Sequence, residues 1–460
     1  MTGEQLTETA KAAELYRLSP YATPQELVRA GLVVKKACAL ANRSIGALDR
    51  NLADAIISAI DELSALEPFA LAREFPLDPF QGGAGTSFNM NLNESIAARA
   101  HTRAGIVVDP LNHVNMHQST NDVAPTALRI MLLSMLGGLE TEIEALQQAL
   151  QVKEQETAHV MKTARTELRD ATVISAGREF STWAAAVARD RWRIFKARER
   201  LKEVNIGGTA IGTGQGAPRA YIFGVIRELQ RLVPFPVTRA DNVVEATSNY
   251  DSLLEAMGAV QVVACNLRRT ANDFRLLASG PGAGFGELEV PALVRGSSIM
   301  PGKVNPVIAE AVIQVAERIE ANHGLIARLC SMSELQLNAF WPLIAYTAWE
   351  SLTLARNGAA ALGRYTTELR VNADRCARNL DASYAKVVAL LPLFGYPACE
   401  RLVAAAREQG VTLDDYLVST GTVSAAELDE LCSRENLNQL GYDEELYARI
   451  RSAHASAVRT

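Results

Sequence analysis

Three stretches of the chain place an apolar residue every three or four positions, the spacing that lines one face of an α-helix. The first carries Leu128, Leu132, Met135, Leu139, Ile143, Leu146 and Leu150, in a sequence that turns helical from Thr126 onward. The second carries Leu253, Met257, Val260, Ala264, Leu267, Ala271 and Phe274 and ends at Gly280. The third, with Ile308, Val312, Val315, Ile319 and Ile326, runs from Val307 to Leu329 behind Pro306, a residue suited to a first helical turn. Long helices with near-heptad stripes pack side by side in a bundle, so the stripes are read as core. Stripes on more than one face would require burial by other subunits. Up to about Asp109, short helical patterns mix with loops. Pro24 and Gln25 open a helix with Leu32, Val33 and Val34 on its apolar face, and Pro76, Pro79 and the Gly82–Gly85 cluster interrupt regularity. From about Val371 the helices shorten. Thr412-Leu413-Asp414 and Ser424-Ala425-Ala426-Glu427 look like capped starts, the second a capping box.

A chain of 460 residues with 48% hydrophobic content builds a sizeable core, as two or three domains. Its 46 basic and 52 acidic residues give a net charge of −6, and no basic run is interleaved with aromatics, so no nucleic-acid role is expected. The six cysteines (Cys38, Cys265, Cys330, Cys376, Cys399, Cys432) show no CxxC spacing and read as reduced thiols of a cytoplasmic protein. Met1-Thr2-Gly3-Glu4-Gln5 lacks the makings of a signal peptide, and no apolar run is read as approaching membrane-spanning length.

The chemistry concentrates at Arg295-Gly296-Ser297-Ser298-Ile299-Met300-Pro301-Gly302-Lys303-Val304-Asn305-Pro306. Gly296 and Gly302 bracket two serines, and Lys303 and Asn305 add a cation and an amide just ahead of a helix start. That combination is a trap for a carboxylate. The plainer alternative is a surface linker. Ile299 and Met300 argue against it, because a solvated linker has little use for them.

From Gly296 to Pro306 the segment resembles the signature of the aspartase/fumarase superfamily. Gly83-Ala84-Gly85-Thr86-Ser87-Phe88-Asn89-Met90-Asn91 and Gln118-Ser119-Thr120-Asn121-Asp122 resemble that family's two other substrate-binding segments, in the family's order. Flanking stretches, from Val34-Lys35-Lys36 to Glu427-Leu428, extend the likeness over nearly the whole chain. Aspartases are the closer relatives, through Gln81–Ser87 and Lys303–Val307. The resemblance implies a mainly all-α, three-domain fold: an N-terminal domain over 1–120, a long central helix bundle over 121–370 and a small helical domain over 371–460. Four such bundles associate in the family, and each active site draws on three chains. Most of the aspartases' longer N-terminal segment is missing here.

The same resemblance implies a cofactor-independent lyase without a metal, acting on a small dicarboxylate or amino-acid substrate. Ser297 would remove a proton from carbon. Serine has no useful basicity of its own, so the loop must close, expel water and aim backbone N–H groups at the oxygen. Lys303 and Asn305 would hold one carboxylate. Ser119, Thr120 and Ser298 would stabilise the other as an enediolate. Thr86 and Asn121 match positions close to the leaving group, and Thr166 a further carboxylate contact. The expected reaction is β-elimination of ammonia or a substituted amine to give fumarate or a related unsaturated acid. The alternatives are fumarate hydration and a catalytically inactive helical scaffold; Ser297, Lys303 and Asn305 together speak against the scaffold.

The main departure is Arg165-Thr166-Glu167-Leu168-Arg169-Asp170-Ala171. Fumarases and many aspartases have histidine where Glu167 stands, other aspartases glutamine. Arg169 replaces a common glutamine, Arg295 a proline, and His117 a usual serine. In fumarases the histidine pairs with a glutamate matched here by Glu310, and the dyad activates water, so its loss argues against hydration. Glu167 then either serves the leaving group or is neutralised by Arg169 or Arg165. Gly207-Gly208-Thr209-Ala210-Ile211-Gly212-Thr213-Gly214 resembles a nucleotide loop, yet no preceding strand or βαβ context is expected there. His113 and His117, four apart, lack further zinc ligands nearby.

Overall fold

Pro24 precedes a helix over Gln25–Ser44 that buries Leu32 and Val34 of the predicted face together with Leu27 and Val28, while Val33 is only half-buried. In the computed structural model, which describes residues 7–457, the predicted stripes fall on three of the five longest helices. These five are Thr120–Glu156, Ala176–Leu201, Asp251–Leu277, Val307–Cys330 and Trp341–Glu368. All seven stripe residues of Asp251–Leu277 are buried. On the other two, Met135, Ile308 and Val315 are only half-buried and the remaining stripe residues are buried. Each fully buried leucine or isoleucine contributes roughly 1.5–3 kcal/mol, so these stripes hold the helices together. Met1–Gln5, the stretch without a signal-peptide pattern, lies outside the described residues.

Two details depart from the sequence reading. The first long helix starts at Thr120, not Thr126, although Pro125 lies inside it. Ser119 and Asp122 explain the earlier start, since the Asp122 carboxylate accepts from Ser119 N (2.9 Å) and the Ser119 hydroxyl from Asn121 N (3.2 Å). Such reciprocal bonds satisfy the first orphan amides of a helix. That helix also has the length and hydropathy to cross a membrane, contrary to the expectation that no run approaches them. Its most apolar 18-residue window is 78% buried inside the protein, which makes it a core helix.

The long helices are divided between two compact units. One comprises the chain up to Ile143, with Asp190–Cys265 and Gln314–Gly358. Beside its share of the long helices it holds Gln25–Ser44, Arg50–Ser64, Thr86–Ala104 and Arg219–Leu232. A two-residue strand, Glu203–Val204, pairs in parallel with Thr238–Arg239. The glycine run 207–214 therefore does follow a strand and precede a helix, correcting the expectation. The other unit comprises Glu144–Arg189, Asn266–Ile313 and the chain from Ala359 onward. It contains the hairpin Met161–Thr166/Arg169–Ser175 and the antiparallel pair Leu288–Glu289/Arg370–Val371. Its short C-terminal helices close over Leu390, Leu413, Leu417, Val423, Leu431, Tyr447 and Ile450. Thr412 caps Leu413–Ser419, and Ser424 forms its capping box with Glu427. All six cysteines are free thiols.

Candidate active site

In the first unit, the segment ending in Ser119, Thr120 and Asn121 is built on a buried lysine. Lys35, 1% exposed, donates to Asn115 Oδ1 (3.0 Å) and Gln118 Oε1 (2.9 Å). Asn115 Oδ1 also accepts from Asn89 and Asn93, which lie on the Thr86–Ala104 helix. Gln118 returns its amide to the carbonyls of Val114 and Met116. One buried lysine thus ties the helix that begins at Thr86 to the turn that presents Ser119. Thr86 itself is exposed, its hydroxyl on the Gly83 carbonyl (2.7 Å). Gly85 has no substitute there: its φ is +75°, and a Cβ would sit 1.9 Å from Trp341 Cζ2.

The Asp122 carboxylate gathers the glycine run as well, accepting from Gly207 N (3.1 Å) and Thr209 N (2.9 Å). The loop that resembles a phosphate cradle therefore spends these two amides on the protein's own anion. Asn121 donates its amide to Ala210 O (2.8 Å), which leaves its carbonyl oxygen for a ligand. Burial pushes the Asp122 carboxyl up to about 7 despite its amide donors, and burial pulls Lys35 down to about 7. His117 holds a positive φ of 61° and meets Asn42 Oδ1 (2.7 Å), while His113 Nδ1 accepts from Asp109 N (2.9 Å). Both rings serve the turn. Among the described residues no group of three or more His, Cys, Asp or Glu is placed to hold a metal.

Lys35→Met leaves Gln118 Oε1 without this donor and Asn115 Oδ1 with fewer, and is expected to cost about 1–3 kcal/mol. The unfolded chain keeps the Lys35 proton up to about 10.5 while the folded one releases it near 7. Between those values the unfolded state binds more protons, so Lys35 makes stability rise with pH there. Urea melts across that window should show Lys35→Met lacking this component of the rise; identical pH slopes in both proteins would refute it.

In the second unit, a side-chain-to-backbone hydrogen bond closes the serine loop into a ring. Asn305 donates to Gly296 O (2.7 Å), and Gly296 lies so close to Lys303 that a Cβ would come within 1.9 Å of its carbonyl oxygen. Ser297 Oγ accepts from the N–H groups of Ile299 (3.2 Å) and Met300 (3.0 Å). Those donors favour negative charge on the hydroxyl oxygen. Ser298, Ile299 and Met300 project outward, with Ile299 82% exposed. The apolar tip is therefore exposed in this chain, so the presence of Ile299 and Met300 does not by itself argue against a surface loop. Lys303, Asn305, Arg275, Glu289 and Asn372 help line a cleft of about 460 Å³ beside the ring. Glu310 lies exposed in the first turn of the following helix. Burial, reinforced by the Glu310 charge, raises the Tyr365 hydroxyl.

Thr166 and Glu167 occupy the tip of the 161–175 hairpin. Thr166 pairs with Arg169, so Glu167 and Leu168 form a two-residue turn, and both have positive φ (54° and 60°). Two-residue turns with that signature favour asparagine and glycine. Neither residue here relieves the strain, and backbone strain of this kind collects at functional sites. In the single chain the neighbouring Arg165 is engaged away from Glu167. Arg165 is bidentate to Glu287 (2.9 and 2.7 Å) and stacks 4.0 Å over the Phe285 ring. Among the described residues neither Arg165 nor Arg169 forms an ion pair with Glu167.

Thr86, Ser119, Thr120 and Asn121 belong to the first unit and Thr166, Glu167, Ser297, Ser298, Lys303, Asn305 and Glu310 to the second, where Lys303 and Asn305 share one cleft and Thr166 and Glu167 stand apart on the hairpin tip. Sequence reasoning assigned no role to Lys35, Asp122 or Glu287. Lys35 had a signal, a charge beside Leu32 and Val34 on an apolar helix face. Glu287 had none, since its partner Arg165 is 122 residues away.

Residues 9–320 match the family described as Lyase. An aspartate ammonia-lyase of Bacillus subtilis is 36% identical, covering 94% of this chain and 92% of the relative. A class II fumarate hydratase of Chlamydia caviae is also 36% identical, covering 94% and 95%. Among solved structures, one described as fumarate lyase:delta crystallin from Brucella melitensis bound to cobalt is 37% identical, with a TM-score of 0.89 and coverage of 93% and 94%. The helical architecture and the matches lead to one conclusion: this chain is a lyase of the aspartase/fumarase superfamily, near the aspartate ammonia-lyases.

Proposed function

We propose that this enzyme eliminates ammonia or a substituted amine from an aspartate- or succinyl-type acid, reversibly, to give fumarate or a related unsaturated acid. The observation that carries the reading is the pair of backbone N–H groups on Ser297 Oγ. They lower the cost of a serine oxyanion, so Ser297 takes the proton from carbon without a cofactor. Charge then gathers on the adjacent carboxylate as an enediolate, which Ser119, Thr120 and Ser298 receive. Lys303 and Asn305 hold the remote carboxylate. Thr86, Asn121 and Thr166 orient the substrate, with Glu167 toward the leaving group and Glu310 behind it. The test is an absorbance screen for unsaturated product with aspartate, malate and N-substituted aspartates. Product from malate alone would overturn elimination of an amine.

Hydration is the second reading, favoured by the 36% identity to a class II fumarate hydratase. Against it, the resemblance puts Glu167 where fumarases carry histidine, so the water-activating dyad is missing.

Lys303→Ala is expected to raise KM and lower kcat together, because the lost cation acts on substrate and transition state alike. A charge-assisted hydrogen bond is worth about 1.5–3 kcal/mol, so kcat/KM should fall roughly 10- to 100-fold. Steady-state kinetics decide it; an unchanged KM would place the carboxylate elsewhere.

The proposed working form is a cytoplasmic homotetramer with active sites shared between subunits. The exposure of Thr86, Ser298 and the Ile299-Met300 tip in the single chain supports it, since a site that must exclude water needs further cover. Co-refolding inactive Ser297→Ala chains with inactive Thr120→Ala chains should restore part of the activity through hybrid sites. No recovery, with mixed tetramers demonstrated by mass spectrometry, would count against sharing between these two segments.

A further inference from the structure

Beneath the strained hairpin lies a buried four-charge network that the proposed mechanism does not use. Lys162 and Glu287 are each 1% exposed. Lys162 Nζ reaches both oxygens of Glu179 (3.0 and 2.9 Å) and one of Glu287 (3.1 Å). Glu287 takes the fork of Arg165 and the amide of Asn379 (2.9 Å). Two cations and two carboxylates balance. Burial alone would raise the Glu287 carboxyl, but Arg165, Lys162 and Asn379 outweigh it and hold it below its ordinary value. Arg165 is held on three sides, by Glu287, by the Phe285 ring and, at 3.9 Å, by Asp170. Glu167, two residues along the same hairpin, is not among its partners.

We propose that Glu287 is a specificity-determining positioning residue: by occupying the Arg165 guanidinium it withholds that cation from Glu167, keeping the Glu167 carboxylate available to a substrate ammonium. This rests on the reading of Glu167 as the partner of the leaving amine. The chemistry is simple competition for one cation. An arginine without its buried bidentate partner turns to other carboxylates: Asp170 and Glu179 already act on Arg165, and Glu167 lies two residues along the same hairpin. An Arg165–Glu167 pair would be neutral and would no longer attract an ammonium group. Because Glu287 is on the segment leading into the serine loop, the withholding contact spans separate parts of one unit and is invisible in the hairpin's own sequence.

The test uses the full-length enzyme, fumarate, and ammonium or methylammonium as amine. Glu287→Gln should raise the KM for the amine at least tenfold with a smaller change in kcat, and its crystal structure should place the Arg165 guanidinium within 4 Å of Glu167. Glu287→Gln/Arg165→Gln, which removes the released cation as well, should bring that KM back to within about threefold of wild type. A merely structural Glu287 predicts the opposite, a double variant worse than either single one. An Arg165 still stacked on Phe285 in the Glu287→Gln structure would overturn the proposal whether or not these amines are turned over. If Glu287→Gln does not fold, Glu287→Gln/Lys162→Gln restores the charge balance while still releasing Arg165, and the same readouts apply. The two ideas fail differently. Glu167→Gln with an unchanged amine KM defeats the reading of Glu167 and the proposal with it. A Glu167→Gln defect without rescue in the Glu287/Arg165 double variant defeats the role of Glu287 alone.

Discussion

Ser297→Ala is expected to fold and assemble normally while losing about 1,000-fold in kcat, the scale of a lost general base. The side chain is half-buried in a loop ring closed by other atoms, the Asn305 amide and the Gly296 carbonyl, so its removal does not open the ring. The N–H groups of Ile299 and Met300 lose an acceptor, but both residues are exposed and water replaces it. Stability should therefore change by no more than about 0.5 kcal/mol. KM should move little, because Lys303 and Asn305 still hold the substrate. The measurements are a thermal melt, a native mass and initial rates of unsaturated product. Near-normal turnover by an intact tetramer would remove Ser297 from the mechanism.

The second large effect is at Glu167. Glu167→Gln keeps the shape of the turn and removes only the charge. If Glu167 holds a departing ammonium, the variant should lose roughly 10- to 100-fold in kcat/KM on the native amine substrate, the worth of a charge-assisted hydrogen bond. It should also gain activity on plain aspartate, because the resemblance finds glutamine at this position in some aspartases. An extra carboxylate beside a small ammonium is more than aspartate needs, and points to a larger or more basic substituent in the native substrate. Kinetics with aspartate and N-substituted aspartates, side by side, read out both halves. A variant indistinguishable from wild type on every substrate would make Glu167 a surface residue of a strained turn.

The mainly helical fold was legible because each predicted stripe keeps its period over several turns, and a long 3.6-residue period has one stable solution, burial of that face. Family membership was legible for a related reason: Gly296–Pro306 packs chemically odd neighbours into one uninterrupted string. Helix starts carry local signals, and one of two was read. Ser424 and Glu427 lie three residues apart and cap as expected, whereas Ser119 and Asp122, also three apart, start the Thr120 helix behind a Pro125 that masked the signal. The Gly207–Gly214 run shows the limit of a motif, since no sequence pattern announces that its amides face Asp122.

By itself, the sequence determined three of the five longest helices and the core face of each, and it singled out the serine, lysine and asparagine expected to trap a carboxylate. Tertiary structure alone decided where the charges go. Lys35 on Asn115 and Gln118, Asp122 on the glycine run, and Arg165 on Glu287 instead of on Glu167 are partnerships between residues 80 to 122 positions apart. Periodicity reports the burial of a face, which each residue meets in its own neighbourhood. Pairing of buried charges is a competition among whatever the fold brings within reach, and only the folded chain runs that competition.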